Sequence, residues 1–223
     1  MRAIFLHGWG FGPDVWAPVL DRLGWGGVTT PDLGFVGAMP PNAADMFERI
    51  RQDGRPVLAV GHSLGFLWLA SREGWPEGSR LVGFNAFGCF ATRPDFAQGT
   101  PGRILARMAR GLQTDARAVV NAFRMTCGAT ELPAGCAVHA QNLRAGLDLL
   151  MHADARARLA GMAQAVHVLG GRQDRVVPPD MLAASVPPDV SVARMEGGHM
   201  PVSYSHLRSH QSGKNIVFRL LLE

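Results

Sequence analysis

Short apolar segments alternate with longer amphipathic ones along most of the chain. Residues 3–6 are apolar on both faces, as expected for a parallel strand in the centre of a sheet. Similar short segments predict further strands over 27–30, 57–60, 80–86, 165–171 and 191–195. Apolar residues at helical spacing predict helices over 13–23, 42–53, 66–73 and 178–186. This alternation predicts an α/β fold with a doubly wound, mostly parallel sheet.

The alternation is interrupted between residues 89 and 161, where helical periodicity dominates. Ile104, Leu105, Met108 and Leu112, for example, repeat at helical spacing. We therefore expect a core built from residues 1–88 and 162–223, with 89–161 inserted as a helical cap, or lid, over the strand ends. A last helix is expected within residues 202–222.

A Gly-x-Ser-x-Gly turn follows the strand predicted over 57–60. Its sequence is Gly61-His62-Ser63-Leu64-Gly65, and an apolar segment of helical length comes directly after it. A strand, a tight turn and a helix expose the central serine above the sheet edge, so Ser63 is the candidate nucleophile. The amide of Leu64, at the start of the helix, is a candidate oxyanion donor. The alternative is an ordinary Gly/Ser turn between two elements.

The partners of a serine nucleophile are expected at later strand exits, with the acid before the histidine. Asp174 follows the strand predicted over 165–171, and His199 follows the strand predicted over 191–195. The expected order is therefore present, each residue on its own loop. Asp148 and Asp180 are the alternative acids, and His199 has a non-catalytic loop histidine as its alternative.

A glycine-rich loop, His7-Gly8-Trp9-Gly10, follows the first strand. Glycines allow such a loop to approach a ligand closely. We expect the Trp9 amide to be the second oxyanion donor and His7 to order the loop through hydrogen bonds. The Trp9 ring either forms a wall of the acyl pocket or simply packs in the core.

These motifs together resemble the α/β-hydrolase superfamily, with Gly171-Arg172-Gln173-Asp174, Val177-Pro178 and Gly198-His199 adding to the likeness. Within it, the chain is similar to the pimeloyl-acyl-carrier-protein methyl ester esterases of biotin synthesis, for which the His-Gly-Trp-Gly start is typical. The resemblance implies an α/β-hydrolase fold and a triad of Ser63, Asp174 and His199. It also implies that Trp9, Leu64 and Phe123 line the substrate site.

The function expected from this resemblance is that of a serine carboxylesterase working through an acyl-enzyme. Its first expected substrate is the methyl ester of a pimeloyl group on an acyl carrier protein. A small free ester and a thioester are the alternative substrates, and a non-catalytic binding protein with a hydrolase fold is the competing class. A complete set of Ser63, Asp174 and His199 favours the enzyme.

Composition narrows the remaining possibilities. A chain of 223 residues, 47% hydrophobic and 18% charged, is typical of a soluble globular domain. Three cysteines without a Cys-x-x-Cys pair, and an N-terminus with no signal-peptide pattern, favour the cytoplasm. The chain has no apolar segment of about 18 residues, so no membrane span is expected. His206 and His210 lie four apart without acidic or cysteine partners, so we expect no metal, and no cofactor is expected.

The formal charge of +4 is concentrated in the expected cap. Residues 90–160 contain nine arginines and five acidic residues, an excess of four positive charges. Arg103, Arg107 and Arg110 share one helix face, and Arg124 follows further along. These four arginines are candidate docking residues for an acidic carrier protein, and a solvated surface is the alternative. No nucleic-acid motif accompanies the charge, so we expect no nucleic-acid partner, and we expect a monomer.

Overall fold

Six parallel strands form the central sheet of the computed structural model, which describes residues 2–38 and 40–200. The strands are β1 (Arg2–Leu6), β2 (Val28–Thr29), β3 (Val57–His62), β4 (Arg80–Phe84), β5 (Val166–Gly171) and β6 (Ser191–Met195). They lie in the order β2-β1-β3-β4-β5-β6. Every neighbouring pair is parallel, so the carboxyl ends of all six strands lie at one edge.

Both faces of the sheet are covered. Along β3, Val57 and Ala59 pack into one hydrophobic cluster, whereas Leu58 and Val60 pack into the other. Successive strand residues point to opposite faces, and here both sets are buried. The predicted doubly wound parallel α/β fold is therefore confirmed.

Among the described residues, seven α-helices connect the strands. They are α1 (Ala17–Leu23), α2 (Ala43–Asp53), α3 (Leu64–Ala70), α4 (Gly102–Thr126), α5 (Ala140–His152), α6 (Arg156–Gly161) and α7 (Pro179–Ser185). The helix predicted over 13–23 is divided, because Pro13–Trp16 forms a 3₁₀ turn before α1 begins. Pro18 has no N–H to donate to a carbonyl in the preceding turn, so an unbroken α-helix cannot run through it.

Helices α4, α5 and α6 lie between β4 and β5, and we call them the helical insert. Helix α4 is kinked at Asp115, which has non-helical φ and ψ of −150° and 90°. The Asp115 carboxylate accepts the Ala118 N–H at 2.9 Å, as an N-terminal cap of the second half of α4. The insert was predicted as helical, and its boundaries at 89 and 161 stay predictions.

The insert packs on the loop that follows β1. The Trp9 indole N–H donates to the Leu143 carbonyl oxygen of α5 at 2.9 Å. Gly146 lies close by, where a Cβ atom would be 2.7 Å from the Trp9 ring. Helix α5 therefore packs so closely on the Trp9 ring that a side chain at position 146 would clash with it.

Some expectations are not addressed by the described residues. The helix expected within 202–222, together with His206 and His210, lies outside them. Within residues 2–38 and 40–200, no helix is both long enough and apolar enough to span a membrane.

Candidate active site

Ser63 lies in a strained turn between β3 and α3. Its φ of 54° and ψ of −121° are unusual for a residue with a side chain. Two glycines make this turn possible. A Cβ on Gly61 would lie 2.4 Å from the Phe66 backbone, and one on Gly65 would lie 2.4 Å from the Leu6 carbonyl oxygen. The predicted nucleophile turn is therefore present, and close packing explains both glycines.

Ser63, His199 and Asp174 form one hydrogen-bonded network. The His199 Nε2 atom is 3.0 Å from the Ser63 Oγ atom, and Nδ1 is 2.8 Å from Asp174 Oδ2. An ionised carboxylate only accepts hydrogen bonds, so Nδ1 carries the proton and Nε2 is free to accept the hydroxyl proton. The three residues are between 2% and 4% exposed. This arrangement can activate a serine hydroxyl as a nucleophile.

The second carboxylate oxygen of Asp174 is also held. Asp174 Oδ1 accepts the N–H groups of Val176 and Val177 at 2.8 and 2.9 Å. These bonds fix the carboxylate plane and direct Oδ2 toward His199. The alternative acids lie elsewhere: Asp148 pairs with Arg144 on the exposed side of α5, and Asp180 is exposed in the first turn of α7.

The expected oxyanion donors are both available. Within the described part of the chain, neither the Leu64 N–H nor the Trp9 N–H donates to a protein acceptor. Leu64 begins α3, where the helix dipole favours negative charge. His7 orders the loop that contains Trp9, as predicted, by bonding to the backbone of Gly8 and Leu33 and contacting Asp32.

The comparisons with known proteins agree with this geometry. Residues 3–207 match the model of a family described as the alpha/beta hydrolase family. The chain belongs to the α/β-hydrolase family. With the network of Ser63, His199 and Asp174, it is a serine hydrolase.

Curated relatives are similar over nearly their whole length. A pimeloyl-[acyl-carrier protein] methyl ester esterase of Aromatoleum aromaticum is 30% identical, with 89% of this chain and 90% of that protein aligned. An esterase of the same name from Xylella fastidiosa is 27% identical, with 89% and 88% aligned. Among solved structures, an esterase from Exiguobacterium antarcticum has a TM-score of 0.74 at 16% identity, over 99% of this chain and 92% of that chain.

Two residues not expected at this site from sequence, Asn85 and His62, bond to the backbone of His199. The Asn85 side-chain amide donates to the carbonyl oxygens of Gly198 and His199 at 3.0 and 2.7 Å. Its Oδ1 accepts the Gly171 N–H at 2.7 Å. Asn85 directly follows β4 and has a φ of 48°. Its hydrogen bonds connect the end of β5, which leads to Asp174, with the loop that contains His199. A polar residue within a predicted apolar strand was the available signal.

His62 is the second of these residues. Its Nε2 atom lies 2.9 Å from the His199 carbonyl oxygen, so Nε2 carries the proton and donates it. Burial, together with the nearby His199, lowers the pKa of His62 to about 3. His62 is therefore neutral at physiological pH and acts on His199 as a hydrogen-bond donor.

A cavity of about 580 Å³ opens beside Ser63. Trp9 and Phe123 line it, with their rings edge to face at a centroid distance of 5.0 Å. Leu64 does not line this cavity; its buried side chain lines a smaller one of about 390 Å³ on another side. Of the three expected lining residues, Trp9 and Phe123 therefore line this cavity. The role that remains for Leu64 at this site is that of its backbone N–H as a candidate oxyanion donor.

Most arginines between residues 90 and 160 are engaged within the protein. Four pair with carboxylates, namely Arg93, Arg144, Arg156 and Arg158. Arg117 donates to the carbonyl oxygens of Pro133 and Cys136, and Arg124 to those of Thr130 and Gly10.

Arg124 also lies over the Phe11 ring, 4.7 Å from its centroid, so it has a structural role beside the Trp9 loop. Arg103, Arg107 and Arg110 differ, because they are exposed and their guanidinium groups bond to no acceptor among the described residues. All three lie in the half of α4 that precedes the kink.

Proposed function

We propose that this serine hydrolase is a carboxylesterase that hydrolyses the methyl ester of a pimeloyl group attached to an acyl carrier protein. The observation that carries the proposal is the hydrogen-bonded chain from Asp174 through His199 to Ser63. Two unbonded N–H groups, of Leu64 and Trp9, accompany it. These are the parts needed for acyl transfer: a nucleophile, a base, an orienting acid and oxyanion donors.

The reaction proceeds through an acyl-enzyme. Ser63 Oγ attacks the ester carbonyl carbon as His199 Nε2 takes the hydroxyl proton, and the N–H groups of Leu64 and Trp9 stabilise the oxyanion. The C–O bond to the methoxy group then breaks, and His199 returns the proton so that methanol leaves. Water attacks the acyl-enzyme with His199 again as the base, which releases the carboxylic acid and restores Ser63.

The choice of substrate is supported by the relatives and by the cavity. The aligned esterases from Aromatoleum aromaticum and Xylella fastidiosa carry this substrate in their names. The cavity beside Ser63 is of ligand size, and Phe90, Leu105, Met108 and Leu150 give it apolar walls. Such walls suit the methylene chain of an acyl group.

The three unbonded arginines of α4 supply a surface for the carrier protein. Arg103, Arg107 and Arg110 lie on one face, exposed and without a carboxylate partner in the described residues. A face of this kind attracts an acidic partner and speeds its association, most strongly at low salt. We include it in the proposal as the docking surface for an acidic carrier protein.

Complementation tests the proposed function. The gene should restore growth without biotin to an auxotroph that lacks the methyl ester esterase, and the Ser63→Ala variant should not. Purified protein should also release methanol from the carrier-linked ester. If purified protein hydrolyses nitrophenyl butyrate but neither complements nor releases methanol, the substrate assignment is wrong. If Ser63→Ala complements as well as the wild type, the mechanism is wrong.

Charge reversal tests the docking surface. We expect Arg103→Glu with Arg110→Glu to raise the KM for the carrier-linked ester several-fold, because steering of the acidic partner is lost. The measured quantity is the ratio of kcat/KM for the carrier-linked ester to kcat/KM for nitrophenyl butyrate, and added salt should lower it similarly in the wild type. An unchanged ratio contradicts the docking surface, and an equal loss on both substrates indicates a damaged insert instead.

A further inference from the structure

Two arginines line the cavity beside Ser63, and they come from different parts of the fold. Arg107 belongs to α4, and Arg175 belongs to the loop after β5, directly after the triad acid Asp174. Both are exposed, so they lie where the cavity opens to solvent. They are the charged residues of an otherwise apolar and weakly polar lining.

No carboxylate neutralises either arginine within residues 2–38 and 40–200. Neither the Arg107 nor the Arg175 side chain forms an ion pair or donates a hydrogen bond there. Arg172, on the same loop as Arg175, shows the contrast, since its Nε atom is 3.2 Å from the Glu196 carboxylate. Asp174 is the nearest acid along the chain to Arg175, but its two oxygens are occupied by His199 and by backbone N–H groups.

We propose that Arg107 and Arg175 form a subsite for an anionic group carried by the substrate itself, on the part of the molecule away from the scissile ester. The inference rests on the ester hydrolysis proposed above and adds the chemical class that the cavity selects. Guanidinium groups suit carboxylate and phosphate oxygens because their N–H donors match the spacing of paired acceptors. The ligand is therefore an apolar chain with an ester at one end and an anion beyond the other.

This subsite shares only Arg107 with the docking surface. Arg103 and Arg110 share the face of α4 with Arg107, yet they do not line the cavity. Helix α4 faces the cavity with Ile104, Leu105, Met108 and Gly111, and Arg107 lies among them in the sequence. Arg107 thus belongs both to the docking surface and to the cavity lining, whereas Arg103 and Arg110 belong to the docking surface only.

Two sources of the anion are consistent with this chemistry: a free carboxylate of a dicarboxylic acid monoester, and the phosphate of a phosphopantetheine arm. Matched substrate pairs without any carrier protein distinguish them. The first pair is monomethyl pimelate and its neutral terminal amide. The second is the pimeloyl methyl ester joined as a thioester to phosphopantetheine or to pantetheine. In each pair, kcat/KM is measured for methyl ester hydrolysis.

We expect the anionic member of at least one pair to have a kcat/KM roughly tenfold above that of its neutral partner. The pair that shows the preference identifies the source. Arg107→Gln and Arg175→Gln should each lower the preference several-fold. The matched control is Arg172→Gln, which removes the same charge from the same loop outside the cavity and should keep the wild-type preference. Because these side chains are exposed, the substitutions remove no core packing.

The result that overturns the subsite is a wild-type preference near one in both pairs, or a preference that both glutamine variants retain. An equal fall in Arg172→Gln also overturns it, because a general charge effect then explains the preference. Failure of the proposed function looks different: the carrier-linked ester is not hydrolysed, while the small anionic ester still outperforms its neutral partner.

Discussion

Removing the Asn85 side chain should loosen the loop that carries the catalytic histidine. Asn85 is 2% exposed, and its amide connects Gly171 at the end of β5 to Gly198 and His199. The chain offers two informative substitutions. Asn85→Ala removes the hydrogen bonds and leaves a side chain at a φ of 48°, and Asn85→Gly removes them without the steric cost of that φ.

The magnitude follows from the groups left without partners. The Gly171 N–H and the Gly198 carbonyl oxygen lose their bonds to Asn85, whereas the His199 carbonyl oxygen keeps the bond from His62. An unsatisfied buried group costs about 1–3 kcal/mol, and the Gly198 contact is only part-buried. We expect Asn85→Ala to lose about 3 kcal/mol of unfolding free energy. Asn85→Gly should be more stable than the alanine variant by about 1 kcal/mol, because positive φ disfavours alanine.

Urea unfolding at neutral pH measures both free energies, and steady-state hydrolysis of nitrophenyl butyrate measures the effect on His199. Both variants should have a lower kcat with a smaller change in KM, because the histidine is displaced while the cavity is retained. If Asn85→Ala has an unfolding free energy within about 0.5 kcal/mol of the wild type, as a neutral surface substitution would, the Asn85 amide does not hold the loop. A glycine variant less stable than the alanine variant would likewise contradict the steric cost assigned to the positive φ of residue 85.

Three further predictions concern the same site. Asp174→Asn should keep the fold but lower kcat by about 10⁴-fold, because the amide no longer selects the productive histidine tautomer; a small loss would contradict the assigned acid. Gly65→Ala should cost about 3 kcal/mol in urea unfolding, because its Cβ would lie 2.4 Å from a β1 carbonyl oxygen. Gly161→Ala, where a Cβ meets nothing within 4 Å, is the matched control and should be neutral. His62 has a folded pKa of about 3, below that of the unfolded chain, so the unfolded state binds more protons between pH 6.5 and 3. The contribution of His62 to the unfolding free energy is therefore complete above pH 6.5, and it falls by about 1.4 kcal/mol for each pH unit below 6.5. The His62→Gln variant should lack this pH dependence when unfolding is measured across the same range.

The triad was predictable from sequence because each member follows its own strand. Apolar strands and the polar residues after them are local patterns, and parallel strands bring their carboxyl ends to one edge. The proximity of Ser63, Asp174 and His199 could therefore be predicted without knowing any long-range contact. The turn motif itself contains both glycines, but only Gly61 is explained by a local contact, since a Cβ on Gly65 would meet the Leu6 carbonyl oxygen of β1.

Other features depend on contacts between distant segments. The Asn85 amide reaches His199, 114 residues away, and no local pattern indicates that bond. The direction of the Leu64 side chain depends on how α3 packs, and this side chain lines the smaller cavity rather than the one beside Ser63. The kink at Asp115 arises where a carboxylate caps a new helical turn inside one periodic segment.

The arginines also show which features are local in sequence and which depend on folding. Sequence located the excess arginines between residues 90 and 160, but their pairing depends on side chains brought together by folding. Arg158, for instance, bonds to Glu73 from before the insert. Only after such pairs are assigned do Arg103, Arg107 and Arg110 remain as the unbonded set, and only the cavity distinguishes Arg107 from the other two.

The central claim is that Ser63 is a nucleophile activated by His199, and covalent labelling tests it most directly. A fluorophosphonate reacts with an activated serine, and peptide mass spectrometry locates the adduct. The wild type should gain one adduct, on the peptide that contains Ser63, and Ser63→Ala should gain none while its kcat falls by roughly four to six orders of magnitude. An adduct on another residue, or near-wild-type turnover in Ser63→Ala, would contradict the account.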